Sequence, residues 1–385
     1  MAGRDIKSIL TGKAGKNIVM AAGVIILMCI FNLLTGNIFT SVRNLTLLMK
    51  QGSVLMIVAS GLMLLLIERN FDLSGGAAVY FVSVIAAQCA VTYKLPLPFA
   101  LLIAMLCGLL MGALNGFFIG YVGIPAFIGT LAAQLLFKGV GYTWTNAATI
   151  GPLSDEFAWL SEGYIPPAAS AVLIVAVALA ACLFCIFDYK KMRQWYGSVN
   201  RLFTRIAAIV IAAVLAIWIF TGYYGIPMCV FFAGMMASIT GFISNKTVFG
   251  RHIYIIGGNP EAANLSGIKT KRRIFQSYVY MGVIYGVAGI VITARLGGST
   301  ATSGNLLELD AVAAACIGGT SMSGGVGRIT GVALGVLVLS AVDNVMSLMN
   351  VSSYLQMVVK GLILLLAVCM DVCMNQTKFR LKKAK

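Results

Sequence analysis

Apolar positions in this chain come in long unbroken runs separated by short polar stretches, rather than at the helical spacing of a half-buried surface helix. About twelve such runs can be marked: 18–35, 52–67, 75–93, 97–120, 126–143, 165–187, 205–221, 226–243, 274–294, 309–321, 328–348 and 354–373. A hydrocarbon core of ~30 Å takes about 20 helical residues. The pattern therefore predicts an all-α polytopic membrane protein of about twelve transmembrane segments. The run 309–321 covers only ~20 Å as a helix and flows into Gly318, Gly319, Gly324, Gly325 and Gly327. It predicts a discontinuous segment, a half-helix ending in a turn, which needs shielding from lipid. Gly108, Gly112, Gly116 and Gly120 recur every fourth residue, as do Gly327, Gly331 and Gly335. Each series predicts a helix face built for close backbone approach.

Composition agrees with the membrane reading. The 385 residues are 60% hydrophobic and 10% charged, too few charges to coat a soluble globule, where about a quarter is usual. The formal charge of +16 might suggest nucleic acid, but Lys and Arg gather between apolar runs and fit membrane orientation better. The 144–164 connection carries Asp155, Glu156 and Glu162 and no basic residue, whereas 188–204 carries Lys190, Lys191, Arg193 and Arg201. Positive charge inside then puts both termini in the cytoplasm, with Arg43 and Lys50 as exceptions on the outer side. The organisation expected is one transmembrane domain over 1–385, with a cytoplasmic tail at 1–17 and a basic one at 374–385. No cleavable signal is evident. The nine cysteines fall in or at the ends of apolar runs, so Cys182 and Cys185 read as packing residues rather than a metal or redox pair.

Residues 257–273 form a polar island. Asn259 suits an N-cap, Pro260 the first helical position, Glu261 the positive end of the dipole, and Gly267 a left-handed close. Ala262 and Ala263 carry the short helix between them, and Lys269, Lys271, Arg272 and Arg273 follow. So short a helix needs an external partner to persist.

Catalytic motifs are missing. His252 sits in a basic stretch and reads as a solvated loop residue, and no phosphate-binding loop exists, since Gly12-Lys13 and Gly15-Lys16 lack the spacing. No catalytic, cofactor or metal site is expected. Ionisable groups within a membrane are costly, which singles out Glu68, Asp72, Glu308, Asp310 and Asp343. Glu68 and Asp72 stand four apart, on one face if helical, with Arg69 as partner; Glu308 and Asp310 hold the matching place after the 274–294 run, with Arg295 as partner. That match predicts an inverted repeat of the second to fifth runs against the ninth to twelfth. The acids read as caps or ion pairs, as a proton-coupling site, or as groups binding substrate. Asn115, Phe127, Asp343 and Asn344 join Asp72, Glu308, Asp310, Gly319 and Gly324 as candidates for a pathway or gate. On the residues alone, an autonomous proton- or sodium-coupled transporter and a structural membrane protein both stay open.

Glu261-Ala262-Ala263 with Gly267 resembles the coupling segment of ABC-importer membrane subunits. Asp72-Leu73-Ser74-Gly75, Gly123-Ile124-Pro125-Ala126-Phe127-Ile128, Leu307 to Ala314, Gly318-Gly319-Thr320-Ser321 and Gly324 to Arg328 resemble, in order, landmarks of ribose- and xylose-type sugar permeases. The resemblance implies a permease subunit importing a monosaccharide such as xylose, with 188–243 as an inserted helix pair. It implies a separate ATP-binding cassette subunit docked on Asn259, Pro260, Glu261, Ala262, Ala263 and Gly267. An extracytoplasmic sugar-binding protein, a second permease copy and membrane lipid complete the implied partners.

Overall fold

Helices account for nearly every apolar run. A computed structural model describes residues 26–196 and 199–383, so the 1–17 tail and the start of the first run lie outside the described residues. After a helical segment at 26–34 come α1 (Val42–Ile67), α2 (Gly75–Ala87, extended by a π-helical turn to Thr92), α3 (Leu97–Gly116, extended likewise to Val122) and α4 (Ala126–Thr145). Next are α5 (Asp155–Glu162), α6 (Pro167–Tyr196), α7 (Val199–Thr221) and α8 (Met228–Lys246). A polar corner, α9 (Val248–Gly258) and α10 (Pro260–Leu265), leads to α11 (Thr270–Leu296), α12 (Leu307–Ile317), α13 (Ile329–Leu348) and α14 (Ser353–Lys383). β1 (Tyr164–Ile165) and β2 (Ile226–Pro227) form one short antiparallel pair.

Among the described residues, eight helices are long and apolar enough to cross a membrane. The other runs fall short for identifiable reasons. Thr130, Gln134 and Lys138 make α4 more polar, α12 has only 11 residues, and the apolar part of α14 is the shorter stretch Ser353–Cys369.

α1 is the pillar. Of its apolar window 94% is buried inside the protein, against 6% for α6 and 0% for α7, which stand at the periphery. Close packing around the pillar follows the glycines. A Cβ on Gly108 would come within 2.7 Å of the Gly282 carbonyl and the Gly286 nitrogen, and one on Gly120 within 2.8 Å of the Lys271 carbonyl. α3 and α11 are thus antiparallel, backbone against backbone. Gly331 and Gly335 meet Gly318 and Ala314 in the same way, seating α12 on α13. Gly327 precedes α13 and packs on Ile67.

Contacts define two ends of the bundle. At one, Asn44 and Asn344 exchange amide hydrogen bonds of 2.8 and 3.1 Å, Ile150 bridges to Ser299, and Lys50 reaches Glu162 at 2.6 Å. That pairing answers the exception the charge pattern left at Lys50. At the other lie the C-terminus of α1, the α9–α10 corner and the turn after α12. The eight cysteines whose side chains are described, Cys182 and Cys185 among them, are free thiols.

Candidate functional site

The first junction forms where α1 stops. Glu68 caps it, Arg69 takes a left-handed φ of 66°, and the chain turns back into the bundle. Glu68 and Asp72 therefore do not share a helical face. Arg69 does not pair with them either: its guanidinium donates to the carbonyls of Gly257 (2.7 Å) and Gly258 (3.0 Å), the C-terminal carbonyls of α9. A cation there is favoured by the helix dipole and fills acceptors that the helix leaves open. The Gly325 amide donates to the Ile67 carbonyl at 2.8 Å, and the Tyr254 hydroxyl donates to the Gly327 carbonyl at 2.7 Å. Three segments so meet through main-chain atoms: the end of the pillar, the helix before α10, and the glycine turn.

Glycine is required at that meeting. Gly319, Gly324 and Gly325 have φ of 82°, 84° and 73°, a region costly for side-chain-bearing residues. A Cβ on Gly257 would lie 2.7 Å from the Gly325 nitrogen, and one on Gly324 would lie 2.7 Å from the Gly257 carbonyl. α10 extends directly from the same corner. Its N-cap Asn259 accepts from the Ala262 amide at 3.0 Å, Pro260 opens it, Glu261 lies in its first turn, and Gly267 closes it at φ 78°. Ala263 is buried while Glu261, Ala262 and Leu265 stay exposed, with Leu265 at 90%. His252 lies half-buried on α9 rather than in a solvated loop. The helix reaches it because the Thr247 hydroxyl caps Gly250.

The second junction lies inside the bundle, where α2 and α12 begin. Asp72 accepts from the Ser74 amide (2.9 Å) and hydroxyl (2.6 Å) and from the Tyr285 hydroxyl. Asn115 donates to the Ser74 oxygen at 2.9 Å, and the Leu73 amide donates to Thr130 at 3.1 Å. Asp72 and Asn115 are buried, and the local turn resembles the loop closure that an aspartate makes two residues on. Glu308, in the first turn of α12, accepts from Gln134 at 3.1 Å and abuts the start of α2 at Gly75 and Gly76. Both carboxylates thus sit at helix N-termini, where the dipole favours them. The starts of α2 and α12 thus meet in the interior.

The third cluster joins α12, α13 and α14. Lys360 pairs at 2.9 Å with both Asp310 and Asp343. Arg295 does not serve these acids; it donates to the Lys50 and Gln51 carbonyls at 3.3 and 3.2 Å, because α11 ends against the upper part of α1. Asn344 is taken by Asn44. Phe127 joins none of these groups and is 57% exposed on the outer side of α4.

Lys360 was missed in the sequence. A lysine alone in an apolar run must find an acid, and the structure supplies two, Asp310 and Asp343. The true partners of Arg69 were not legible, because backbone carbonyls leave no mark in a sequence.

Interrupted helices, glycine-lined contacts and carboxylates held at interior helix ends define a polytopic membrane transport protein. Comparison with known proteins agrees. The family model described as "Branched-chain amino acid transport system / permease component" matches residues 44–368. The chain is 37% identical over 357 residues to the xylose transport system permease protein XylH of Escherichia coli K12, covering 92% of this chain and 91% of that protein. It is 35% identical to XylH of Haemophilus influenzae, over 92% and 95%. With the ribose import permease protein RbsC of E. coli K12 it is 30% identical, over 90% and 91%. No solved structure matches. The chain belongs to this family, the membrane-spanning permease subunits of ABC sugar importers, whose ATP hydrolysis takes place on a separate subunit.

Proposed function

We propose that this permease carries a pentose, xylose, across the cytoplasmic membrane, and that α10 is where the ATPase subunit takes hold. The observation carrying the substrate is the likeness to the two xylose permease proteins over more than nine-tenths of the chain. Coupling is supported by the first junction. A push on α10 reaches Gly257 and Gly258 through α9, and from there Arg69, Ile67 and the glycine turn through hydrogen bonds of 2.7 to 3.0 Å. Gly319 and Gly324 are the pivots of that turn, and Asp72, Asn115 and Glu308 hold the half-helices that would bracket the route. In this reading the α9–α10 end and both termini face the cytoplasm, twelve segments cross, and a second copy of the chain completes the pathway.

The second helix is the shortest of its four both in α1–α4 (18 residues with its π-helical turn) and in α11–α14 (11 residues), supporting an internal repeat, with the 188–243 pair inserted between the halves. The test is reconstitution with the ATPase subunit and a sugar-binding protein in vesicles. Xylose should accumulate only with ATP and faster than ribose. A preference for ribose would reject the substrate, and uptake without ATP would reject the coupling.

A further inference from the structure

Beside the third cluster the bundle leaves a cavity of about 210 Å³, framed by α1, α11, α12 and α13. Its polar groups are Gln51, Arg295, Asn305, Asp310, Ser340 and Asp343, set over the apolar side chains of Val54, Leu55 and Ile292. Gln51, Thr302 and Asn305 are exposed, so the cavity opens at the end of the bundle that carries Asn44 and Glu162, away from α10. Hydroxyl, amide, guanidinium and carboxylate groups together over an apolar floor are the complement of a small polyol ring, with oxygens around its edge and C–H bonds on its face. The volume, room for about seven waters at ~30 Å³ each, suits one monosaccharide, and a disaccharide would have to leave its second ring in the open mouth. Asp343 also keeps one carboxylate oxygen with no hydrogen-bond partner, although Lys360 holds the other.

We infer that this cavity is a sugar-receiving subsite, where a monosaccharide rests between release on the outer side and passage along α12. The assignment rests on the monosaccharide-import reading above. Asp310 and Asp343 accept from ring hydroxyls, Gln51 and Asn305 both donate and accept, and Lys360 bridges the two carboxylates and fixes their spacing. Because Asp310 belongs to α12, sugar in the cavity bears on the half-helix whose far end is the glycine turn.

The test uses the complete permease–ATPase complex, free of native cysteines, with Thr302→Cys on the cavity rim. Xylose should slow modification of that thiol by a small reagent in a saturable way, and maltose should not. Adding Gln51→Ala or Asn305→Ala should raise the half-protecting xylose concentration about threefold to tenfold, the worth of one neutral hydrogen bond. Reagent rates indifferent to xylose in a complex that still transports xylose would overturn the subsite and leave the import reading standing. Equal protection by maltose would also overturn it, since a cavity sized for one ring must favour xylose. Failure of the unmodified importer to carry any monosaccharide would remove the import reading and the subsite with it.

Discussion

Asn44 and Asn344 satisfy each other in the interior, at 2.8 and 3.1 Å across 300 positions of sequence. Asn44 also donates to the Phe39 carbonyl at 3.0 Å, so it is the removal of Asn44 that strands Asn344, at a cost of about 1–3 kcal/mol for a buried group left unpaired. Asn44→Leu should therefore lower the thermal midpoint in detergent, and Asn344→Leu added to it should restore part of the loss; additive losses would mean that the pair is not coupled. Gly267 poses a different problem. No atom lies within 4 Å of where its Cβ would be, so Gly267→Val meets only the left-handed φ, worth roughly 1–2 kcal/mol. That is enough to unsettle a six-residue helix without harming the bundle. Insertion should be normal and sugar-stimulated ATP hydrolysis reduced, and unchanged stimulation would speak against α10 as the docking point. The N-cap, the opening proline and the closing glycine of α10 were all legible, because helix ends are written in local residue chemistry. Arg69 was not, since it answers to carbonyls nearly 190 residues away.

Among the elements, α3 and α11 touch backbone to backbone. Gly108→Ala drives a methyl group to 2.7 Å from the Gly282 carbonyl, and overpacking of this sort costs about 1–3 kcal/mol. Gly139, on α4, faces nothing within 4 Å and serves as the control. Differential scanning of the two variants should show a lower midpoint for Gly108→Ala alone; equal midpoints would contradict the contact. The half-helix α12 gives the next expectation. Gly319→Val has room for its side chain but not the φ of 82°, so it should slow transport while leaving assembly with the ATPase intact. The four-residue glycine rhythm announced these contacts because close helix packing needs a period that sequence displays. Where α2 and α12 would begin, and that these starts would meet, depended on chain reversals with no such period.

For the whole molecule, charge and hydropathy gave the class of fold directly, since a bilayer imposes length and polarity on every segment. Span number was less legible, because helices sheltered by neighbours tolerate polar residues, as α4 does. Orientation is open to a direct check. Glu156, in the acidic 144–164 connection, and Lys271, in the 257–273 island, are both exposed and serve as the two probes. Cysteines at these two positions should react with impermeant reagents from opposite sides, and labelling from one side would overturn the arrangement. The junction of Ile67, Arg69, Gly257, Gly258 and Gly325 has one more implication. A hinge fastened by main-chain atoms depends on few side-chain identities: an arginine and a handful of glycines hold a veto, and the residues around them can drift. On the coupling and sugar-site readings proposed above, cargo preference is then free to change while the drive train stays the same, so lineages of such importers could acquire new sugars without rebuilding their motors.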